Sequence, residues 1–206
     1  MHRLRTLLAL AVSVVPLAAF AQGSPECAAA LKGNAPRVKL TTSLGAIVVQ
    51  LDKEKAPIST ENFVKYVDSG HYNGTVFHRV IDAFMIQGGG FSKDLREKPT
   101  NPPIKNESTN GLKNEPYTVA MARTNVRDSA TSQFFINSKD NDFLNYAGES
   151  NPGYAVFGKV VEGTNVVDKI RKVKVQPTNV SEAQPLEPVV IEKAECLAPK
   201  AAGGKK

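Results

Sequence analysis

Val76-Phe77-His78-Arg79-Val80-Ile81-Asp82-Ala83-Phe84-Met85-Ile86-Gln87-Gly88-Gly89-Gly90-Phe91 reads as two short strands joined at 81–83. Side chains along a strand alternate between its faces. Phe77 and Arg79, and after the turn Met85 and Gln87, therefore fall on one face. A face that mixes a permanent cation, an amide and large apolar groups makes poor core and poor solvent surface. It is the make-up of a pocket, where apolar walls hold a ligand and a few polar groups orient it. The three glycines let the backbone turn sharply or approach a neighbour closely. Their spacing fits neither G-x-G-x-x-G nor the Walker pattern, which sets phosphate binding aside.

Two further blocks follow in order, Ser132-Gln133-Phe134-Phe135-Ile136-Asn137 and Tyr154-Ala155-Val156-Phe157-Gly158-Lys159-Val160. With Phe77-His78-Arg79-Val80-Ile81 and Phe84-Met85-Ile86-Gln87-Gly88-Gly89 they resemble the signature of the cyclophilins, the peptidyl-prolyl cis-trans isomerases. The resemblance runs from about Arg37 to Glu192. It is strongest to the periplasmic cyclophilins of Gram-negative bacteria.

The chain around these blocks has 206 residues, enough for one domain with a proper core. Hydrophobic residues at 41% and charged ones at 22% are ordinary for a soluble globular protein. Residues 1–21 have a basic start, an apolar run from Leu7 to Ala19 and the small-x-small site Ala19-Phe20-Ala21, the layout of a secretory signal peptide. No other stretch is apolar and long enough to span a bilayer. An exported, periplasmic protein with no membrane partner after cleavage is expected. The net charge of +6 loses Arg3 and Arg5 with the leader, and the remaining Lys and Arg are scattered. A nucleic-acid groove would need a basic stripe interleaved with aromatics, so no nucleic-acid partner is expected. No oligomerisation signal is visible, and a monomer is the expectation.

Cys27 lies just before the domain and Cys196 just after the strand read at its end. In an oxidising compartment the two thiols would pair if the first and last strands are neighbours. There is no Cys-x-x-Cys and no cluster of His and Cys, so neither redox catalysis nor a metal site is indicated.

Along the chain, residues 22–36 form a lead-in, 37–196 the domain and 197–206 a low-complexity, disordered tail. Val38 to Asp52 reads as a hairpin turning at Thr42-Ser43-Leu44-Gly45. A helix starts at Pro57, repeats apolar residues at Phe63, Tyr66 and Val67, and stops at Gly70. Ser92 to Pro116 reads as a surface excursion with one short strand near Ile104. Strands follow at Tyr117–Arg123, Gln133–Asn137, Tyr154–Val161 and Glu187–Ala194, with a second helix over Thr164–Lys172. Many short strands with two helices suggest a closed antiparallel barrel. The resemblance implies a mainly β fold, a closed eight-stranded antiparallel barrel with one helix capping each end and the active site on its outside.

The resemblance also implies the chemistry. Rotation about an X-Pro amide breaks no bond, so no nucleophile, metal or cofactor is required. The barrier of roughly 20 kcal/mol is amide resonance. The motif positions make Arg79 the catalytic residue and Phe84, Met85, Phe135 and Leu144 the proline socket. Gln87 would hydrogen-bond the substrate backbone and aim Arg79. Ala122 and Arg123 would offer backbone groups, with Gln133 nearby, while Phe77 and Phe134 would belong to the core. His78 would face away from Arg79 and take no part. The chain departs from the better-known eukaryotic members at Phe143 (Trp there), Tyr154 (His) and Arg123 (Asn). Phe143 lacks the indole N–H donor, which implies weak cyclosporin sensitivity with proline seating retained. The partners implied are proline-containing segments of unfolded or flexible exported proteins. The alternative is a binding module or chaperone that holds such segments, with incidental turnover.

Overall fold

The computed structural model describes residues 24–198. The signal peptide read at 1–21 lies outside the described residues, as does the tail read at 197–206 from residue 199 on; Leu197, read as tail, closes the last strand. Ten strands and three α-helices are present among the described residues. They are α1 (Pro25–Ala30), β1 (Arg37–Thr42), β2 (Gly45–Leu51), α2 (Pro57–Asp68), β3 (Thr75–Ile81), β4 (Met85–Ser92) and β5 (Thr118–Met121). There follow β6 (Phe134–Asn137), β7 (Val156–Glu162), α3 (Thr164–Ile170), β8 (Val175–Gln176), β9 (Gln184–Pro185) and β10 (Val190–Leu197). Eight of the strands close into an antiparallel barrel in the order β1-β10-β3-β4-β6-β5-β7-β2, and β8 and β9 form a separate small hairpin. Closure leaves the barrel itself without an unpaired edge.

The barrel interior is packed solid. Phe63 of α2 meets Phe134 edge-on at 5.3 Å and Phe157 at 5.3 Å. Phe77, Leu40, Ile47, Ile86 and Ile136 are fully buried around them. Tyr72 joins this cluster and spends its hydroxyl on the Ser132 carbonyl at 2.8 Å, which satisfies a group that would otherwise be costly to bury. The two longer helices cover opposite ends of the barrel, α2 against β7 and β10 and α3 against β2. Phe63 packs by the Leu51 end, where the Asp52 backbone N–H donates to the Phe157 carbonyl. Val166 of α3 covers Gly45, where a Cβ would lie 2.8 Å from its methyl group.

α2 has Pro57 in its first turn, as the sequence indicates, but its N-cap, Ala56, makes no side-chain bond. The exposed N–H groups are served from a distance. Glu107, in the excursion, accepts from Ile58 N at 3.0 Å and from Ser59 N at 2.7 Å. A carboxylate at that end also suits the helix dipole.

Several boundaries differ from the sequence reading. The lead-in contains α1, capped by the Ser24 hydroxyl. The strand near Ile104 is a single bridge to Ala130. β5 ends at Met121, although the Ala122 N–H still reaches the Gln133 carbonyl in the β5–β6 register. β10 continues to Leu197, so Cys196 sits within the last strand, paired with Val38 of β1. Cys27 of α1 and Cys196 are disulfide-bonded, with Cα atoms 5.0 Å apart and 169 positions between them in sequence.

Candidate active site

β3 decides where the site lies. Phe77 pairs with Gly88, and Arg79 pairs with Gln87, so two steps on β3 match one on β4. Such a bulge reverses the alternation locally. Phe77 consequently enters the barrel core while Arg79 stays on the outer wall, with Met85 and Gln87 beside it. Strict alternation put Phe77 and Arg79 on one face; the bulge separates them.

On that outer wall a hollow of about 280 Å³ is lined by Arg79, Phe84, Met85, Gln87, Ala122, Arg123, Phe135, Phe143, Leu144 and Tyr154. Met85 and Phe135 form its buried floor. Phe84 and Phe143 stack at 5.5 Å along one side, and Phe135 meets Tyr154 edge-on at 5.7 Å on another. Gln133 is the one candidate residue outside this lining. It fits because Gly90 has no side chain; a Cβ there would come within 2.6 Å of the Gln133 amide carbon. Gln87 donates to Gln133 Oε1 at 2.9 Å, which turns the Gln87 carbonyl toward Arg79. Arg79 Nη1 then donates to Gln87 Oε1 at 3.4 Å and approaches Met85 Sδ at 3.8 Å. Its guanidinium carbon lies 5.6 Å from the Phe84 ring centre. The chain thus assembles a cation held by an amide relay at the edge of an apolar socket.

A larger depression of about 550 Å³ lies elsewhere, between Gln50, Asp52, Lys113 and Lys159. It has neither the aromatic walls nor an arginine. Among the described residues, no group of three His, Cys, Asp or Glu gathers to hold a metal. No helix of the described residues is long and apolar enough to cross a membrane.

The family model for "Cyclophilin type peptidyl-prolyl cis-trans isomerase/CLD" matches residues 37–196. The chain belongs to the cyclophilin-type peptidyl-prolyl cis-trans isomerases. It is 52% identical over 193 residues to peptidyl-prolyl cis-trans isomerase A of Dickeya dadantii, covering 94% of this chain and 98% of that one. It is 52% identical over 157 residues to isomerase B of Escherichia coli, covering 75% and 96%. Among solved structures, a Cryptosporidium parvum cyclophilin type isomerase superposes with a TM-score of 0.66 at 23% identity, over 80% of this chain and 99% of that one. The same protein in the presence of the dipeptide Ala-Pro superposes at 0.64. The solved structures match in fold.

Within this cyclophilin, sequence reasoning missed the residue most closely tied to Arg79. Glu182, just before β9, accepts from both Nε and Nη2 at 2.7 Å. The Arg79 hydrogen bond holds its carboxyl below the usual carboxylate range, aided by the backbone N–H of Glu182 itself. Glu182 takes one edge of the guanidinium and leaves Nη1 on the pocket side. Its segment has no periodicity, and nothing local marks it. A buried amide chain was also missed. Asn141 donates to the Phe84 carbonyl at 2.9 Å and to Asn137 Oδ1 at 2.7 Å. Asn114 donates to the Leu144 carbonyl at 3.2 Å. These amides fix two walls of the socket from behind.

His78 is buried against Phe91, ring centres 4.7 Å apart, with no partner for Nδ1. Burial pushes its imidazole down to about 4; Arg79 adds to this, while a backbone hydrogen bond at Val76 and the Glu182 charge oppose it. In the unfolded chain the ring takes up a proton near pH 6.5, whereas the folded protein resists until about 4. The unfolded state therefore binds more protons across that window, and stability falls as pH drops through it. His78→Phe should remove on the order of 2 kcal/mol of this acid loss. Urea unfolding of both proteins at pH 7.5 and pH 4.5 measures it, and equal losses would refute the assignment.

Proposed function

We propose that this protein is an exported isomerase that speeds X-Pro rotation in other exported proteins, with Arg79 as its catalytic residue. Twisting the amide pyramidalises the prolyl nitrogen and frees its lone pair. A donor aimed there stabilises the twisted form and neither planar one, which is what catalysis requires. The observation that carries this reading is the position of Arg79: its Nη1 edge borders the socket of Phe84 and Met85, and Gln87 and Glu182 hold the rest of the fork. Guanidinium remains protonated at any physiological pH and offers donors in a rigid plane.

The proline ring would sit on Met85 and Phe135, between Phe84 and Leu144. The Ala122 N–H is spent on Gln133, so the backbone contacts expected at Ala122 and Arg123 would come from their other groups. Export is supported by the layout of residues 1–21, and the Cys27–Cys196 bridge suits an oxidising compartment. The periplasm is the destination that fits both.

The test is exchange spectroscopy on an Ala-Pro peptide with substoichiometric protein. Acceleration of cis-trans exchange is the expected result. Binding of the peptide without acceleration would replace this reading with that of a holding module.

A further inference from the structure

The sequence contains eight arginines, six of them among the described residues. Arg37 pairs with Glu162, Arg79 with Glu182, Arg96 with Asp94, Arg127 with Glu149, and Arg171 with Asp82 and Asp168. Arg123 alone has no carboxylate partner among the described residues, and it lines the hollow.

Its guanidinium is nonetheless fixed. Nε donates to the Gly153 carbonyl at 2.9 Å and Nη1 to the Thr124 carbonyl at 2.8 Å. Its Cζ lies 4.4 Å from the centre of the Tyr154 ring, close enough for a cation–π contact. A guanidinium carries five N–H groups, and these two bonds leave the Nη2 pair unspent. The fork is therefore pre-organised, and a ligand that engages it loses little further side-chain freedom.

The two cations of the hollow differ in consequence. The charge of Arg79 is met by Glu182, so its side of the site is electrically balanced. The charge of Arg123, on the Tyr154 side, is met only by carbonyl dipoles and a ring face. A peptide laid across Phe135 toward Tyr154 meets an uncompensated positive charge there.

We infer that Arg123 is a specificity-determining residue, selecting substrates that carry a carboxylate side chain within two positions of the proline. The inference rests on the isomerase reading above and names the class of peptide that this site takes best. A half-buried Arg–carboxylate pair at a preformed fork is worth about fivefold in kcat/KM at low ionic strength. That lies at the upper end of what exposed ion pairs give, and salt should reduce it.

The experiment compares peptides in which Glu, Gln or Lys replaces Ala at each of the two positions on either side of proline. Exchange is measured at 20 mM and 500 mM NaCl with wild type, Arg123→Gln and Arg123→Lys. At one or more positions, Glu should exceed Gln by about fivefold and Lys should fall below Gln. The difference should shrink at high salt. Arg123→Gln should erase the Glu-to-Gln ratio, and Arg123→Lys should keep its sign. If wild type accelerates the all-Ala reference but shows no Glu-to-Gln difference anywhere, the inference is overturned while the isomerase reading stands. A ratio that persists in Arg123→Gln overturns it equally. If wild type fails to accelerate any peptide, it is the isomerase reading that fails.

Discussion

Arg79→Ala should lower kcat/KM for an Ala-Pro peptide by about a hundredfold while peptide binding changes far less. The magnitude is that of removing one donor aimed at charge that develops only in the transition state. The split follows from the geometry. The socket of Phe84, Met85, Phe135 and Leu144 stays in place when the guanidinium is cut away, so ground-state seating survives. The fold should survive as well, because the partner left behind, Glu182, has 61% of its side chain exposed and can hydrate. Arg79→Lys restores the charge without the planar fork that Gln87 and Glu182 grip together, and should recover only part of the rate. Exchange rates and peptide affinities measured on the three proteins give the answer. A loss below threefold in a folded Arg79→Ala protein would leave the proposed mechanism without its central group.

Reduction of the Cys27–Cys196 bridge, or its replacement by a pair of serines, should lower the free energy of unfolding by about 3 to 5 kcal/mol. In the chain-entropy account a crosslink across 169 positions removes much of the freedom of the unfolded chain. For a domain of this size the loss corresponds to a midpoint lower by on the order of 10 °C. The bridge also holds α1 on β10, a helix too short to persist alone. Rates per folded molecule should not change, since neither cysteine touches the hollow. Urea unfolding with and without reductant measures the effect, and agreement of the two curves within 1 kcal/mol would refute it.

Much of this was legible in the residues, and the remainder has identifiable physical reasons for being hidden. Arg79, Met85 and Gln87 announce a pocket because their side-chain chemistries do not otherwise belong together, and alternation carries them to one face. Phe77 obeys the same alternation yet goes inside. The bulge that sends it there depends on how β4 and its glycines pair with β3, which a strand read alone cannot reveal. Glu182 and Glu107 act on partners 103 and 49 positions away, one gripping Arg79 and the other finishing α2. Neither stands in a pattern, so only the closed barrel brings out their roles. Asn114, Asn137 and Asn141 look like loop residues by type. Asn114 and Asn141 are buried because the walls they brace leave backbone carbonyls that need donors, and Asn137 links the two, accepting from Asn141 and donating to Asn114.

The edge-on and tilted rings of Phe63, Phe77, Phe134 and Phe157 make the barrel a plug, not a vessel, which leaves only its outer wall for a ligand. A shallow external seat has no doorway to thread. A client could therefore present a proline from mid-chain, or from the bend of a nearly finished loop, by lying sideways against the wall, without offering a free end.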